Sequence, residues 1–155
     1  MLVTDEKPAR LAQRFPAFFN KILLDAPCSG EGMFRKEEAL ARDWTPEKSA
    51  ELSDIQKDLI LKAADMLRPG GMMLYSTCTF SPCEDEEVVA HLLQERPDME
   101  LMEMPGYEGF SEGGRNLSTH RFPLKLSTRP PFENASASFH TRWTVKVISL
   151  PFSTK

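Results

Sequence analysis

The stretch Lys21–Gly32, KILLDAPCSGEG, joins an apolar run that ends in a carboxylate to a loop with one proline and two glycines. A continuous apolar run of this length is typical of a strand buried on both faces, as in a parallel sheet. Ligands of such α/β sheets bind at the carboxyl ends of the strands. We therefore expect Asp25-Ala26-Pro27-Cys28 to lie at a ligand-binding edge.

A second apolar run, MMLYSTCTF at Met72–Phe80, predicts a second buried strand that carries Cys78 near its end. Between the two strands, Pro46–Leu67 has the longest helical pattern, with Thr45 as its expected N-cap. The sequence Arg68-Pro69-Gly70-Gly71 should end that helix. Its expected apolar face consists of Leu52, Ile55, Leu59 and Ala63.

Three further elements extend this pattern. A short helix is predicted over Lys7–Phe19, and a longer one over Ser81–Arg96, where Glu84–Glu87 would form an acidic first turn favoured by the helix dipole. A third strand should begin at Met99. Alternation of strands and helices predicts a parallel α/β sheet with right-handed crossovers. The face of the first helix would contain Leu11, Phe15 and Phe19.

The amino-acid composition limits the classes of protein to which this chain can belong. The 155 residues suit one domain or a piece of a larger one, with 41% hydrophobic and 27% charged residues. No apolar stretch is long enough for a membrane helix, and no secretory signal is recognisable. Three cysteines, an odd number, suggest a reducing compartment, which we expect to be the cytoplasm. The net charge of −4 by itself argues against nucleic-acid binding, since phosphate contacts need basic residues.

Two thiols and a carboxylate at neighbouring strand ends suggest covalent catalysis. Attack on carbon 6 of a cytosine needs a thiolate, because the pyrimidine ring is a poor electrophile. An acid beside N3 and the exocyclic amine would assist that attack. Carbon 5 then becomes a nucleophile that can accept a methyl group from a sulfonium donor, and a base must remove its proton. A Cys, an Asp and a second Cys supply one candidate for each task.

The blocks DAPCSGEGMFRK (25–36) and YSTCTFSPCEDE (75–86) closely resemble the Sun/Fmu family of RNA cytosine carbon-5 methyltransferases. The ML-RPGG sequence before the second strand also fits that family, and the resemblance spans roughly Leu2–Gly113. It implies a partial Rossmann-like, S-adenosylmethionine-dependent methyltransferase fold, of which this chain is the second half of the sheet. The implied cofactor is S-adenosyl-L-methionine, and the implied substrate is RNA, with ribosomal RNA expected.

The resemblance also assigns roles to individual residues. Cys78 matches the family's nucleophile, and Cys28 matches the cysteine that assists release of the methylated product. Asp25 matches the acid that contacts the target cytosine and lies beside the bound cofactor. Cys83 matches no catalytic position. DNA cytosine methyltransferases instead attack with the cysteine of a Pro-Cys motif, which would make Cys28 the nucleophile, but the context around Cys78 favours the RNA family.

Each of these residues also has a purely structural interpretation. A free cysteine is often a small buried hydrophobe, and Asp25 could cap a turn. Cys78, Cys83 and His91 lack the paired Cys-x-x-Cys spacing of zinc sites, so no metal site is expected. The segment Phe34-Arg35-Lys36 could contact RNA or could be a solvated loop.

Two features depart from the family. The Gly-rich cofactor loop and the acids that end the next two strands are absent, so we expect residues 1–113 to form the second half of a catalytic domain. Residues 114–155 read as an atypical, irregular tail, in which Trp143–Leu150 would be a chance strand-like pattern. Read from the third base of each codon, Glu133–Lys155 can encode KRKRLFPHKMDGEGHFFALFHK, which is family-like. We therefore hypothesise a frameshift near Gly113 or Gly114.

The sequence thus predicts that this chain is a fragment of an RNA (cytosine-5-)-methyltransferase and that the fragment is inactive alone. One alternative is a non-catalytic RNA-binding or assembly module. Another is half of a split enzyme, whose missing N-terminal half is supplied separately. A third is methylation of a different base or of protein, because similar strand-end motifs occur in other methyltransferases.

Overall fold

The carboxyl ends of two adjacent parallel strands position the candidate site. The structure, a computed structural model, describes residues 1, 3–102, 110–112, 137–139 and 144–149. Its strands are β1 (Phe19–Asp25), β2 (Leu67–Thr77), β3 (Glu100–Leu101), β4 (Phe110–Glu112), β5 (Ala137–Phe139) and β6 (Thr144–Ser149). Its helices are α1 (Pro8–Arg14), α2 (Glu38–Asp43), α3 (Pro46–Met66) and α4 (Glu86–Glu95), with a 3₁₀ turn at Glu31–Met33.

Strands β1 and β2 pair in parallel, as the sequence predicts, with α3 as the main helix of the connection. Leu23 lies opposite Leu74, and Asp25 lies opposite Ser76. The register shifts between Phe19 and Lys21. Because both strands end at the same edge, the loops that carry the two candidate cysteines meet there.

Strand β6 lies between β2 and β3 and runs antiparallel to both. It forms from Thr144–Ser149, within the segment that the sequence analysis treats as a chance pattern in an irregular tail. An extended segment next to β2 satisfies the backbone hydrogen-bonding groups of that strand. Of the tail beyond residue 113, only β5 and β6 are among the described residues, and the frameshift stays a prediction.

The first helix is shorter than predicted, because it ends at Arg14 instead of continuing to Phe19. Pro16 has no N–H to donate, and it disfavours helical geometry at Phe15, whose φ and ψ are −127° and 46°. The predicted single helical face is therefore wrong. Phe15, Phe18 and Phe19 instead form an aromatic cluster with ring centroids 5.0–5.7 Å apart.

Helix α3 agrees with its predicted bounds within one residue, and the Oγ1 of Thr45 accepts the N–H of Lys48 at 3.2 Å. Its buried face is not the predicted one, since Ile55 is 50% exposed. The buried positions are Ser49, Ser53, Gln56, Ile60, Ala63 and Ala64. The half of this face nearest the helix N-terminus is thus polar.

Three other predicted boundaries shift. Strand β2 begins at Leu67 and ends at Thr77, so the candidate cysteine after it lies in a loop. Helix α4 begins at Glu86 instead of Ser81, because Glu84 and Asp85 turn into the core and form hydrogen bonds there. Strand β3 contains only Glu100–Leu101.

The apolar core lies between the helices and one face of the sheet. Its fully buried members include Ile60, Leu67, Met73, Tyr75, Val88 and Leu92. Strand β1 is at the end of the described strand path, and its Leu23 is 67% exposed. The prediction that this strand is buried on both faces is therefore wrong.

Candidate active site

The two candidate cysteines meet at the carboxyl edge of the sheet, 50 positions apart in sequence. The Sγ atoms of Cys28 and Cys78 are 3.0 Å apart, and the backbone N–H of Cys78 donates to Cys28 Sγ at 3.2 Å. Both thiols are free and partly buried. The structure therefore brings the two sequence-predicted thiols into contact at this edge of the sheet.

Backbone hydrogen bonds fix the loops that carry this pair. The N–H of Ala26 donates to the carbonyl of Ser76 at 2.9 Å and continues the pairing of the strands beyond their ends. The N–H of Gly32 donates to the carbonyl of Cys78 at 2.8 Å. Gly30 has φ +76°, a conformation that side chains rarely adopt, so this tight turn of the Cys28 loop requires glycine.

Asp25 lies at the same edge but in a different environment. It is the last residue of β1, and its Oδ1 accepts the hydroxyl of Ser76 at 3.0 Å. Its side chain is exposed, whereas the neighbouring Ala26 is buried. An exposed carboxylate at a strand end can accept hydrogen bonds from a ligand that enters the edge from solvent.

The environment of the pair affects the two thiols unequally. Burial, together with the hydrogen bond and charge of Cys78, raises the pKa of the Cys28 thiol to about 12, although two backbone hydrogen bonds act in the opposite direction. Cys28 therefore keeps its proton at neutral pH and can donate it to the sulfur of Cys78. Since the thiolate is the reactive form of cysteine, Cys28 is the poorer candidate for the nucleophile.

Behind the pair lies a buried polar network that the sequence analysis missed. Glu84, predicted as part of an acidic first turn favoured by the helix dipole, precedes the helix and is fully buried. Its Oε1 accepts the hydroxyl of Ser49 at 2.6 Å, and its Oε2 accepts the N–H of Ser29 and Nε2 of Gln56, each at 2.9 Å. The signal available was the polar periodicity of α3, since residues 49, 53 and 56 share one helical face.

Other candidates lie apart from the pair or have no metal-binding arrangement. The Sγ of Cys83 lies 3.3 Å from the Oγ of Ser49 and 3.1 Å from that of Ser81. Within the described residues, no group of three His, Cys, Asp or Glu side chains could hold a metal ion. No described helix is long and apolar enough to cross a membrane. Arg35 and Lys36 are exposed beside the 3₁₀ turn.

Comparison with known proteins places the chain in a family. The sequence profile described as 16S rRNA methyltransferase RsmB/F matches residues 3–140. Ribosomal RNA small subunit methyltransferase F of Pectobacterium carotovorum is 49% identical over 83 residues, which cover 54% of this chain and 17% of the relative. The protein of the same name in Vibrio parahaemolyticus is 42% identical over 113 residues, covering 70% and 23%. The matched region thus spans about a fifth of these relatives.

Two solved structures share the fold. A methyltransferase homologue from Pyrococcus horikoshii aligns with a TM-score of 0.66 and 24% identity over 95% of this chain and 44% of that chain. NSun6 from the same organism, crystallised with SFG, gives a TM-score of 0.58 and 24% identity over 83% and 29%. The α/β arrangement here is therefore the Rossmann-like fold of methyltransferases.

Proposed function

The chain belongs to the 16S rRNA methyltransferase RsmB/F family, and from this premise we propose that it forms the thiol half of a site that methylates carbon 5 of cytosine in ribosomal RNA. The methyl donor would be S-adenosyl-L-methionine. The observation that carries the proposal is the 3.0 Å separation of Cys28 Sγ and Cys78 Sγ, next to the carboxylate of Asp25. A covalent addition followed by elimination needs a nucleophile and a base that can reach neighbouring atoms of the same ring, and two thiols in contact can meet that requirement.

In the proposed reaction, Cys78 loses its proton to solvent and its Sγ forms a bond to carbon 6 of the cytosine, while the S–H of Cys28 can donate a hydrogen bond to that sulfur. Asp25 lies at the open edge, where its carboxylate would engage the cytosine amine. The addition raises electron density at carbon 5, which would accept the methyl group as the bond from that methyl to the donor sulfur breaks and S-adenosylhomocysteine leaves. Loss of the carbon 5 proton breaks the bond between Cys78 and carbon 6.

The coupling between the thiols gives Cys28 its role in the second stage. Both the hydrogen bond and the charge of Cys78 contribute to the raised pKa of Cys28. Once Cys78 is bonded to carbon, its sulfur carries neither charge nor proton. The pKa of Cys28 then falls, Cys28 can release its own proton to solvent, and the resulting thiolate is able to accept the carbon 5 proton at the stage when that proton must leave.

The residues at the edge fit part of a cofactor site. Bound S-adenosylmethionine supplies an electrophilic methyl group. Asp25, exposed at the end of β1 and held by Ser76, is the described carboxylate that would lie beside it. Because the Gly-rich loop of the family is absent from the sequence, we expect the 155-residue chain to transfer no methyl group by itself.

The proposal is tested by grafting. Residues 1–113 would replace the matching segment of the Pectobacterium carotovorum relative, and the chimera would be incubated with 16S rRNA that contains 5-azacytidine, which traps the covalent adduct. We expect an adduct at Cys78 that Cys78→Ala abolishes, and with ordinary rRNA we expect Cys28→Ala to accumulate the adduct. Cys83→Ala is the matched control and should leave both reactions unchanged.

The other outcomes separate the alternatives. An adduct that persists in Cys78→Ala but disappears in Cys28→Ala would reverse the two roles. Retention of rRNA by the unmodified chain without any methyl transfer in the chimera would favour a binding module. Recovery of methylation when a separate cofactor-binding segment is added to the intact chain would favour a split enzyme.

A further inference from the structure

We propose that Glu84 is a positioning residue that holds the two cysteine loops at reacting distance. This inference rests on the proposed function of Cys28 and Cys78 and identifies the group that maintains their geometry. Glu84 lies in the turn before α4 and is fully buried. Its backbone is fixed as well, since its N–H donates to the carbonyl of Ser81 at 3.0 Å, and its carbonyl accepts the hydroxyl of Tyr75 at 2.7 Å.

The carboxylate holds the Cys28 loop from both sides of the cysteine. Directly after Cys28, the N–H of Ser29 donates to Glu84 Oε2 at 2.9 Å. Directly before Cys28, the carbonyl of Pro27 accepts Nε2 of Gln56 at 2.7 Å, and the same amide nitrogen donates to Glu84 Oε2 at 2.9 Å. A shift of the carboxylate therefore displaces both neighbours of the thiol.

The constraint continues to the second cysteine. The hydroxyl of Ser29 is 3.0 Å from Oγ1 of Thr79, the residue after Cys78, and Thr79 Oγ1 also accepts the N–H of Ser81. Both of these hydroxyls are buried. The connection thus runs from Glu84 through Ser29 and Thr79 to the loop that carries Cys78, and buried polar groups of this kind lose free energy if a partner is removed.

The arrangement needs the length of the side chain more than its charge. Oε2 accepts two obligate donors, whereas Oε1 accepts only the hydroxyl of Ser49, which can rotate to accept instead. In Glu84→Gln, the amide oxygen can take the place of Oε2, and the amide nitrogen can donate to Ser49. Glu84→Asp keeps the charge but withdraws the carboxylate by one methylene group. A positioning role therefore predicts that Gln is tolerated and Asp is not.

The test measures the proximity of the thiols directly, without methylation. The full chain is equilibrated with glutathione disulfide, which oxidises the Cys28–Cys78 pair to a disulfide and releases two molecules of glutathione. The equilibrium gives the effective concentration of one thiol at the other. Peptide mapping assigns the disulfide, and circular dichroism confirms that each variant is folded. Cys83→Ala serves as the common background.

We expect Glu84→Ala and Glu84→Asp to lower this effective concentration at least about tenfold, because displacements near 1 Å change intramolecular reactivity by orders of magnitude. Glu84→Gln should stay within about threefold of the parent, since its hydrogen bonds are retained. Ser53→Ala is the matched control. Ser53 lies on the same face of α3, but its hydroxyl donates to the carbonyl of Cys83 and not to the carboxylate of Glu84, so the effective concentration in this variant should also stay within about threefold of the parent.

Two results would overturn the proposal: a folded Glu84→Asp with the parent's effective concentration, or loss in Glu84→Gln with retention in Glu84→Asp, which would show that charge matters. Should Glu84→Ala fail to fold, the comparison of Gln with Asp still decides. In the rRNA chimera, Glu84→Asp should lower kcat with little change in KM. The effective concentration of the thiols could change among the Glu84 variants as expected while Cys78 forms no rRNA adduct. That result would support the positioning role of Glu84 and reject the proposed function.

Discussion

The two parallel strands of the sheet look alike in sequence but differ in the structure. In β2, Met73 and Tyr75 are fully buried, and Tyr75 also donates its hydroxyl to the backbone before α4. In β1, Leu23 is mostly exposed, and the strand lies at the end of the described strand path. An apolar run therefore indicates a strand, but its neighbours in the sheet determine which of its faces are buried.

Truncation of a core-facing side chain on β2 and of a side chain on the opposite, exposed face of β1 should have the largest and most unequal effect. We expect Met73→Ala to lower the free energy of unfolding by about 2–5 kcal/mol, because it leaves a cavity in the core. Leu23→Ala, its matched control on β1, should change it by less than about 0.5 kcal/mol. Urea denaturation of both variants measures the difference, and equal losses would show that β1 is buried in solution.

The loop after the exposed strand β1 carries the thiol whose pKa is raised by its surroundings. With its pKa raised to about 12, Cys28 should be alkylated by iodoacetamide at pH 8 at least about 100-fold more slowly than a free cysteine. Its rate should rise with pH, in proportion to the thiolate fraction, and should level off only near pH 12. Mass-spectrometric rates for Cys28 and Cys78 in parallel test this, and faster alkylation of Cys28 would make it the candidate nucleophile.

Replacement of Cys78 probes the coupling from the other side. In Cys78→Ala, two causes of the raised pKa of Cys28 are removed while burial remains. The alkylation profile of Cys28 should therefore shift to lower pH but stay above that of a free cysteine, since burial is the largest cause. A profile identical to that of the parent would show that burial alone sets the pKa of Cys28. It would contradict the proposal that Cys28 becomes available as a base after Cys78 has reacted.

The adjacent hydroxyls of Ser76 and Thr77 on β2 allow a finer comparison, because one donates to an exposed carboxylate and the other to a buried one. Thr77 Oγ1 donates to the buried Asp85, so Thr77→Val should cost about 1–3 kcal/mol of unfolding free energy. Ser76 Oγ donates to the exposed Asp25, where water can replace it, so Ser76→Ala should cost less than about 1 kcal/mol. Thermal unfolding of both variants gives the values, and a larger loss in Ser76→Ala would contradict this assignment.

The smallest effect is expected at the surface ion pairs at the end of α4. Arg96 donates two hydrogen bonds to Asp98 and one to Asp65, and the guanidinium lowers the pKa of Asp98. A lowered carboxyl pKa adds stability above the unfolded-state pKa near 4, and this stability is lost as the pH falls through the folded value. Because both carboxylate partners of the half-buried Arg96 are exposed, Arg96→Gln should reduce stability at pH 7 by less than about 1 kcal/mol, with a smaller difference at pH 2. If the stability difference between the parent and Arg96→Gln is the same at pH 2 as at pH 7, the charge of Asp98 is not its cause.

Hydrophobic periodicity found most of the elements but failed where polar side chains are buried. It placed α3 within one residue but chose Ile55 for the inner face, whereas Ser49, Ser53 and Gln56 are buried there. Those three face the turn that contains Glu84 and Cys83, where hydrogen bonds offset the cost of burying polar groups. A sequence pattern that scores only apolar residues cannot detect such a face.

By itself, the sequence determined the family, the order of strand, helix and strand, and the identity of Asp25, Cys28 and Cys78 as candidate site residues. These follow from local patterns and from short motifs whose residues are close together in the chain. Only the tertiary structure decided that burial and the neighbouring thiol raise the pKa of Cys28, that β6 enters the sheet beside β2, and that Glu84 lies behind the cysteines. These properties depend on burial and on contacts between residues about 30 to 80 positions apart, which local sequence does not encode.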